Sequence, residues 1–241
     1  MRLLIDIGNT RIKYVYDNGS QLLDISTIDN QQISEMWFKR VSYKVNEIIV
    51  ANVSQSSLTE TLIRWSKKAD ITLMSVKSEK AAFGVKTAYQ QPNQLGVDRW
   101  LALIGARTLY PDKNILIIDA GTATTVDLLN KNGQHQGGWI LPGVDTMFTS
   151  LFKDTAHVLA TKEKKVTLGF GHNTTECVNN ACWMATVACI KQAKIEAEKY
   201  GTIDVTFLIG GNSAAINELL DQKLQRSEQL IFLGLQRYST N

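Results

Sequence analysis

The sequence predicts a mixed α/β fold made of two similarly built halves. Strand-like runs occur in groups that tight turns join, and helical segments follow each group instead of alternating strictly with single strands. A strand–turn–strand pattern also occurs twice, with Asp6 and Asp119 at matching positions 113 residues apart. A pattern that returns in the second part of a chain indicates a duplicated structural unit.

Length, composition and charge are those of an ordinary globular protein. The chain has 241 residues, of which 44% are hydrophobic and 20% charged, and this length allows one large domain or two of about 100–150 residues. The formal net charge of +3 comes from scattered lysines and arginines, whereas a nucleic-acid partner usually requires a clustered basic face. No apolar run approaches the ~20 residues of a membrane helix, and no signal-peptide pattern precedes the first strand. We therefore expect no nucleic-acid partner, no membrane contact and a cytoplasmic location.

Each element of the first half has its own sequence signature. The apolar run Leu3-Leu4-Ile5 predicts the first strand, and Asp17-Asn18-Gly19 is a strong hairpin turn between the next two. A helix that begins at Val97 is expected to stop before Pro111. The predicted strands are 2–7, 11–17, 20–27, 45–50 and 71–76; the predicted helices are 31–40, one that begins at 56, and 97–109, with a loop at 84–95.

The second half repeats the order of strands followed by helices. Its first strand is nearly all isoleucine and leucine, which is typical of a strand buried on both faces. Gly201 is a good stop for the longest helix, and the segment GGWILPG (137–143) leads into another helix. The predicted strands are 115–119, 124–130 and 203–209; the predicted helices are 144–153, 174–200 and one that ends near 222, followed by a final strand–helix pair.

The repeat itself predicts a phosphate site. In "LLIDIGNTRIKYVYDNG" and "LIIDAGTATTVDLLNKNG" an apolar strand ends on an aspartate, and a glycine turn leads into a second strand. Glycine permits close approach of the backbone to a ligand, and N–H groups beside Thr10 or Thr122 can surround a phosphate. A carboxylate beside a phosphate requires a cation, so we expect the two halves to hold nucleotide phosphates and Mg²⁺ across a cleft. The alternative is turn chemistry alone, since Asp and Gly are common at turns, but two copies in the same context favour the phosphate site.

Several further segments give the chain a family resemblance. In order along the chain they are DIGNTRIK (6–13), GVDRW (96–100), DAGTATTVD (119–127), GGWILPG (137–143), NTTE (173–176) and IGGNS (209–213). Together they resemble the type III pantothenate kinases, which belong to the superfamily of acetate and sugar kinases, heat-shock ATPases and actin. The resemblance implies an α/β fold of two ribonuclease-H-like domains with mixed sheets, which we place at residues 1–114 and 115–241.

The resemblance implies that ATP phosphorylates pantothenate, the first step of coenzyme A synthesis. It assigns the general base to Asp98 and pantothenate binding to a surrounding group of residues. A carboxylate that accepts the hydrogen bond of a primary alcohol can orient and deprotonate it without a raised pKa. The sequence leaves an alternative, because Asp98 lies in the first turn of a helix, where an acid complements the dipole and Arg99 would be its surface partner. The implied pantothenate-binding residues are Tyr89, Gly96, Val97, Asp98, Arg99 and Thr174.

The nucleotide and its ions are assigned in the same way. The resemblance implies that Asp6 acts on Mg²⁺, that Thr122 contacts ATP, and that Asp119 binds a monovalent cation, K⁺ or NH₄⁺. Gly210-Gly211 resembles the glycines of an adenosine loop, although a plain strand-to-helix turn is equally compatible. The residues implied to surround the phosphates are Asp6, Ile7, Gly8, Asn9, Thr10, Arg11, Ile12 and Lys13.

The resemblance also implies a homodimer that forms through the second half. Two other functions remain compatible with the sequence. One is a kinase of the same superfamily that acts on another small alcohol. The other is a non-catalytic ATP-binding regulatory protein, against which stand the absence of a helix-turn-helix pattern and the presence of all three acids.

Overall fold

The computed structural model describes residues 1–53, 56–154, 161–162 and 167–239, and at 56–57 and 152–154 it describes the backbone alone. The helices within these ranges are α1 Glu35–Val41, α2 Ser56–Lys68, α3 Val97–Leu109, α4 Val144–Asp154, α5 Thr174–Glu198, α6 Ser213–Leu219 and α7 Leu230–Gln236. The strands are β1 Arg2–Ile7, β2 Arg11–Asp17, β3 Ser26–Asp29, β4 Glu47–Asn52, β5 Thr72–Ser75, β6 Ala81–Ala82, β7 Val85–Lys86, β8 Ile115–Ala120, β9 Ala123–Leu129, β10 His135–Pro142, β11 Val205–Ile209 and β12 Gln225–Arg226. The predicted mixed α/β class is confirmed.

The chain forms two compact units, and each contains one five-stranded mixed sheet. The first unit comprises Met1–Pro111 with Glu228–Asn241, and the second comprises Asp112–Ser227. These units differ from the predicted ranges 1–114 and 115–241 mainly at the C-terminus, where α7 packs with the first unit.

In the first unit the strand order is β3-β2-β1-β4-β5. Strands β1, β2 and β3 pair antiparallel, whereas β4 and β5 run parallel to β1. Helices α1 and α2 cover one face of this sheet, over Leu3, Ile5 and Ile7. Helices α3 and α7 cover the other face, over Leu4 and Ile49. The third strand is shorter and later than predicted, because residues 18–25 form the turn and an irregular segment before it.

Helices α3 and α7 pack so closely that their backbones approach each other directly. A Cβ atom added to Gly105 would overlap the carbonyl oxygen of Leu230, and one added to Gly234 would overlap that of Leu101. Each helix therefore supplies a glycine where the other helix passes, so the position of α3 on the sheet is closely defined.

The second unit repeats the arrangement, with strand order β10-β9-β8-β11-β12. Strands β8, β9 and β10 pair antiparallel, and β11 runs parallel to β8. Helix α5 packs through Trp183, Val187 and Ile190 on the face that carries Leu116 and Ile118. No helix in the described ranges is both long and apolar enough to cross a membrane.

Strand β10 contains residues 137–142 of the segment 137–143, which was predicted only as a lead into a helix. Its backbone pairs with β9 along nearly its whole length, with an irregularity between His135 and Gly137. The sequence lacks the usual strand pattern here, because Gly137 and Gly138 are adjacent and the apolar Trp139 and Ile140 are both exposed.

A buried ion pair fastens the C-terminus to β1. The Arg2 guanidinium pairs with the fully buried Asp17 carboxylate and also donates to the carbonyl oxygen of Tyr238 at 2.9 Å. The side-chain amide of Gln236 donates to the same carboxylate at 3.2 Å. Residues from both ends of the chain thus share one hydrogen-bonded cluster.

We expect Arg2→Met to lower the free energy of unfolding by roughly 3 kcal/mol, because it leaves the Asp17 carboxylate buried without its cation. Urea denaturation measures this change. Lys68→Ala is the matched control, since it breaks the exposed Lys68–Glu35 pair of the same unit and should change stability by about 1 kcal/mol or less. Equal effects of the two substitutions would contradict the assignment of Arg2–Asp17 as the structural pair.

Candidate active site

The first acid of the repeat, Asp6, lies near the end of β1 and is 9% exposed. Because side chains alternate along a strand, Asp6 shares the sheet face of Leu4, which α3 and α7 cover. Across the β1–β2 ladder Asp6 stands directly opposite Lys13. A half-buried lysine therefore lies at the same end of the sheet as the acid, on the neighbouring strand.

The turn after β1, which we call the first turn, comprises Gly8, Asn9 and Thr10. The Gly8 N–H donates to the carbonyl oxygen of Arg11 at 3.0 Å, which closes the turn. The carbonyl oxygens of all three residues accept hydrogen bonds from Asn30. Asn9 and Thr10 are exposed. The first turn thus has its oxygens engaged, and two of its three residues are exposed.

Asp98 lies in the first turn of α3, as predicted, and Gly96 is the cap residue before that helix. A Cβ atom at Gly96 would lie 2.5 Å from Oδ1 of Asp98. The same oxygen accepts the N–H of Arg99 at 2.8 Å. Glycine is therefore required at position 96 for the Asp98 carboxylate to hold its present position.

The side chains of Arg99 and Tyr89 contact each other. Arg99 is 5% exposed, so it is not the surface partner that the sequence also allowed. Its Nη1 donates to the Tyr89 hydroxyl at 3.0 Å, and its guanidinium carbon lies 5.8 Å from the centre of the Tyr89 ring. Lys80 Nζ donates to the carbonyl oxygen of Tyr89 at 3.0 Å, and the Tyr89 N–H donates to Oγ1 of Thr87 at 3.1 Å. The segment that carries Tyr89 was predicted as a loop over 84–95. It contains the short strand β7, which pairs with β6 just before the segment.

Trp100, the next residue of α3, contacts the C-terminal segment. Its indole N–H donates to the Tyr238 hydroxyl at 2.9 Å, and that hydroxyl donates to Glu79 at 2.8 Å. Burial raises the pKa of Tyr238 well above its usual range. Sequence analysis did not select Tyr238, because a tyrosine near a chain end carries no pattern that points to a site 138 residues away.

The turn after β8, which we call the second turn, comprises Gly121 and Thr122. The Gly121 N–H donates to the carbonyl oxygen of Ala123 at 3.0 Å, the counterpart of the bond that closes the first turn. The carbonyl oxygen of Thr122 accepts from the Gly143 N–H at 3.0 Å and from Oγ1 of Thr146 at 2.7 Å. The predicted similarity of the two hairpins therefore extends to their hydrogen bonding.

Gly210 passes close to Asp119. Its φ is +91°, and a Cβ atom there would overlap Oδ1 of Asp119 and lie 2.6 Å from the carbonyl oxygen of Ala120. The adjacent Gly211 has open space around it. The first glycine of the pair is thus required by the approach of β11's loop to Asp119, whereas the second is not.

Thr174 is the first residue of α5, and Asn173 is its cap. Oδ1 of Asn173 accepts the Glu176 N–H at 2.9 Å, and Glu176 accepts the N–H of His172 at 2.7 Å. This bond with the His172 N–H holds the pKa of Glu176 below its usual range. Asn173 therefore caps the helix, and the exposed Thr174 does not serve as the cap.

The donor set suits Mg²⁺ that arrives with a nucleotide. Among the described residues, no three His, Cys, Asp or Glu side chains cluster as a metal cage. Mg²⁺ characteristically keeps several waters and is bound by one or two carboxylates together with substrate phosphates. The single acid at the first turn, Asp6, fits that chemistry.

Comparison with known sequences gives one consistent family. A family model described as type III pantothenate kinase matches residues 2–195. A protein of that name from Colwellia psychrerythraea is 44% identical, over 99% of this chain and 100% of its own length. Another of that name, from Pseudoalteromonas translucida, is 39% identical over 80% of this chain and 78% of its own.

Comparison with solved structures supports the fold. A Campylobacter jejuni protein whose name assigns it to the Baf family of transcriptional activators is similar with a TM-score of 0.65, 22% identity, and coverage of 98% of this chain and 96% of its own. A Sinorhizobium meliloti protein named for 2-dehydro-3-deoxygalactonokinase has a TM-score of 0.57 and 11% identity, with coverage of 98% and 97%. At these identities the likeness concerns fold alone, and it confirms the predicted fold of sugar kinases and actin-like ATPases.

Proposed function

The chain belongs to the type III pantothenate kinase family, and we propose that Asp98 and the two acid-tipped turns carry its reaction, the phosphorylation of pantothenate by ATP. This reaction is the first step of coenzyme A synthesis. The observation that supports the residue assignment best is the start of α3. There Gly96 leaves room for the Asp98 carboxylate, and the helix covers the sheet face that carries Asp6.

Asp98 acts as the general base. Its carboxylate accepts the proton of the primary hydroxyl of pantothenate as that oxygen attacks the γ-phosphorus of ATP. The new O–P bond forms while the bond between the γ-phosphorus and the ADP oxygen breaks, so the products are phosphopantothenate and ADP. Phosphoryl transfer depends mainly on positioning and charge stabilisation, so a carboxylate with an ordinary pKa suffices.

Tyr89, Arg99 and Thr174 bind pantothenate, together with the backbone at Gly96 and Val97. The bond from Arg99 to the Tyr89 hydroxyl fixes both side chains beside the start of α3. A planar guanidinium suits the carboxylate of the substrate. Thr174 is exposed at the start of α5, whose N–H groups favour an anionic group.

The phosphates of ATP are bound by residues 6–13 and by Thr122. Asp6 serves Mg²⁺, which when bound neutralises phosphate charge as it develops during transfer. Lys13 stands opposite Asp6 on the neighbouring strand, where its ammonium group supplies further positive charge. The N–H groups of the exposed residues Asn9 and Thr10 supply hydrogen bonds to phosphate oxygens.

Two other functions are separated from this one by a coupled assay with ATP, Mg²⁺ and a panel of alcohols. A kinase of another small alcohol would prefer a different member of the panel. A non-catalytic regulator would consume ATP at background rates with every alcohol. The name of the Campylobacter jejuni protein favours neither, because the likeness to it concerns fold alone.

We expect Asp98→Asn to retain binding of both substrates and to lose roughly 10²- to 10⁴-fold in kcat, since the amide cannot accept the proton. Steady-state kinetics and calorimetric binding measure the two properties. Asp24→Asn is the control for loss of an acid in the same unit, because Asp24 is exposed; its kcat should be unchanged. Near-normal turnover of Asp98→Asn would remove Asp98 from the role of base.

Asp119 binds a monovalent cation, K⁺ or NH₄⁺, which offsets its charge beside the backbone of Gly210. Activity should therefore be higher in K⁺ or NH₄⁺ than in Na⁺ at equal ionic strength, and Asp119→Asn should reduce this difference. Assays in the three chloride salts measure it. Equal activity of the unaltered enzyme in all three salts would contradict the assignment.

The protein forms a homodimer through its second unit. Trp139 and Ile140 of β10 and Met184 and Ile195 of α5 are large apolar side chains that are exposed in the single chain. Sedimentation at several concentrations should show twice the mass of the chain, and Ile195→Asp should lower the dimer fraction. A monomer at all concentrations would contradict the proposal. The cytoplasmic location stays a prediction.

A further inference from the structure

We infer that Asn30 is a positioning residue for the phosphates of ATP, which it serves by holding the carbonyl oxygens of the first turn. The inference rests on the proposed kinase function and adds a residue to it. Asn30 lies outside the segment 6–13.

Asn30 contacts every carbonyl oxygen of the first turn. Its side-chain nitrogen donates to the carbonyl oxygens of Gly8 at 2.9 Å and Asn9 at 3.1 Å. Its own backbone N–H donates to the carbonyl oxygen of Thr10 at 3.1 Å. One residue therefore fixes three successive peptide groups, and with them the direction of the intervening N–H groups, because each peptide unit is planar.

The hydrogen bonding of the first turn is one-sided as a result. The Gly8 N–H is used internally by Arg11. In the described part of the chain, the N–H groups of Asn9 and Thr10 donate to no protein acceptor, and both residues are exposed. A turn whose oxygens are engaged and whose N–H groups are available presents positive potential, which suits a phosphate.

The chemistry requires an amide at position 30. The NH₂ group of asparagine carries two donors on one nitrogen, and its short side chain places that nitrogen within reach of two adjacent carbonyl oxygens. An aspartate of the same shape would place a charged oxygen against both carbonyl oxygens. The Asn30 Oδ1 atom is buried and accepts no hydrogen bond from the described residues, so the bonds made by the side chain are those to the first turn.

Strand β3 brings Asn30 to the first turn. Asp29, its last residue, is paired with Arg11 in the β2–β3 ladder, and the two side chains form an ion pair at 3.1 Å. Asn30 follows directly and begins a short 3₁₀ turn that extends to Gln32. The third strand thus places a donor where the first two strands meet.

The second turn provides an independent parallel. Its Thr122 carbonyl oxygen also accepts two hydrogen bonds, from the Gly143 N–H and the Thr146 hydroxyl. The donors come from the start of α4 rather than from a third strand. In both copies of the repeat, residues outside the hairpin therefore donate to carbonyl oxygens of the turn, to three oxygens in the first turn and to that of Thr122 in the second.

The test compares Asn30→Ala with Asn18→Ala in the enzyme. Asn18 is the matched control, because its Oδ1 accepts from Ser20 and Gln21 in the turn at the other end of β2. We expect Asn30→Ala to lower kcat/KM for ATP by roughly 10- to 100-fold, the effect of two lost hydrogen bonds. The KM for pantothenate should stay within about twofold of that of the unaltered enzyme. General damage would instead lower kcat/KM for both substrates, or lower only the fraction of enzyme that is active. Asn18→Ala should leave both parameters unchanged.

Two further measurements separate the possible failures. Asn30→Asp conserves the shape of the side chain and should lower kcat/KM for ATP more than Asn30→Ala does. Thermal unfolding of each variant identifies any loss of folded protein. Calorimetric binding of MgATP does not require the alcohol, so it tests Asn30 even if pantothenate proves not to be the substrate. MgATP affinity of folded Asn30→Ala within about twofold of the unaltered enzyme would overturn the inference. If the unaltered enzyme binds MgATP but phosphorylates no pantothenate, the proposed function fails instead.

Discussion

The site depends on one constraint, the satisfaction of polar backbone groups where a buried strand ends in a tight turn. Buried carbonyl and N–H groups must find partners, and a phosphate site additionally requires that some N–H groups remain available. The first turn meets both requirements because Asn30 supplies donors for its oxygens. In the second turn, Gly143 and Thr146 supply donors for the carbonyl oxygen of Thr122. In both units, the donors to carbonyl oxygens of the hairpin turn come from residues outside the hairpin.

This division explains how much the sequence could predict. The hairpins, their acids and the bounds of α3 follow from local patterns of strand, turn and helix residues, and they are found as predicted. Asn30 could not be recognised, because an asparagine after a strand is ordinary turn chemistry, and only the pairing of β2 with β3 shows which turn it contacts. The same holds for α7, since its glycine contact with α3 joins residues more than 100 positions apart. Strand β10 was missed for a local reason, as its glycines and exposed apolar side chains lack the alternation of a half-buried strand.

Glycines at the site act through the space they leave. Gly96 makes room for the Asp98 carboxylate, and Gly210 makes room for that of Asp119. In each case the nearest atom to an added Cβ would be an acid oxygen that the proposed reaction uses. The family resemblance assigned Gly96 to pantothenate binding and Gly210 to an adenosine loop, with a plain strand-to-helix turn as the alternative for Gly210. A turn accounts for Gly210 with its φ of +91°. At Gly96 the requirement comes from the neighbouring acid rather than from backbone conformation.

The role proposed for Asp98 depends on where its carboxylate is held. A general base in phosphoryl transfer contributes by holding the hydroxyl in line with the phosphorus, and small displacements of reacting groups cost large factors in rate. Helix α3 is held in place by several contacts of residues that follow Asp98 along the helix. Arg99 donates to Tyr89, Trp100 donates to Tyr238, and Gly105 meets the backbone of α7. These contacts come from different segments of the first unit, so rotation or sliding of the helix would disturb several of them together. The C-terminal segment, far from Asp98 in sequence, therefore belongs to the structure that defines where the proposed base lies.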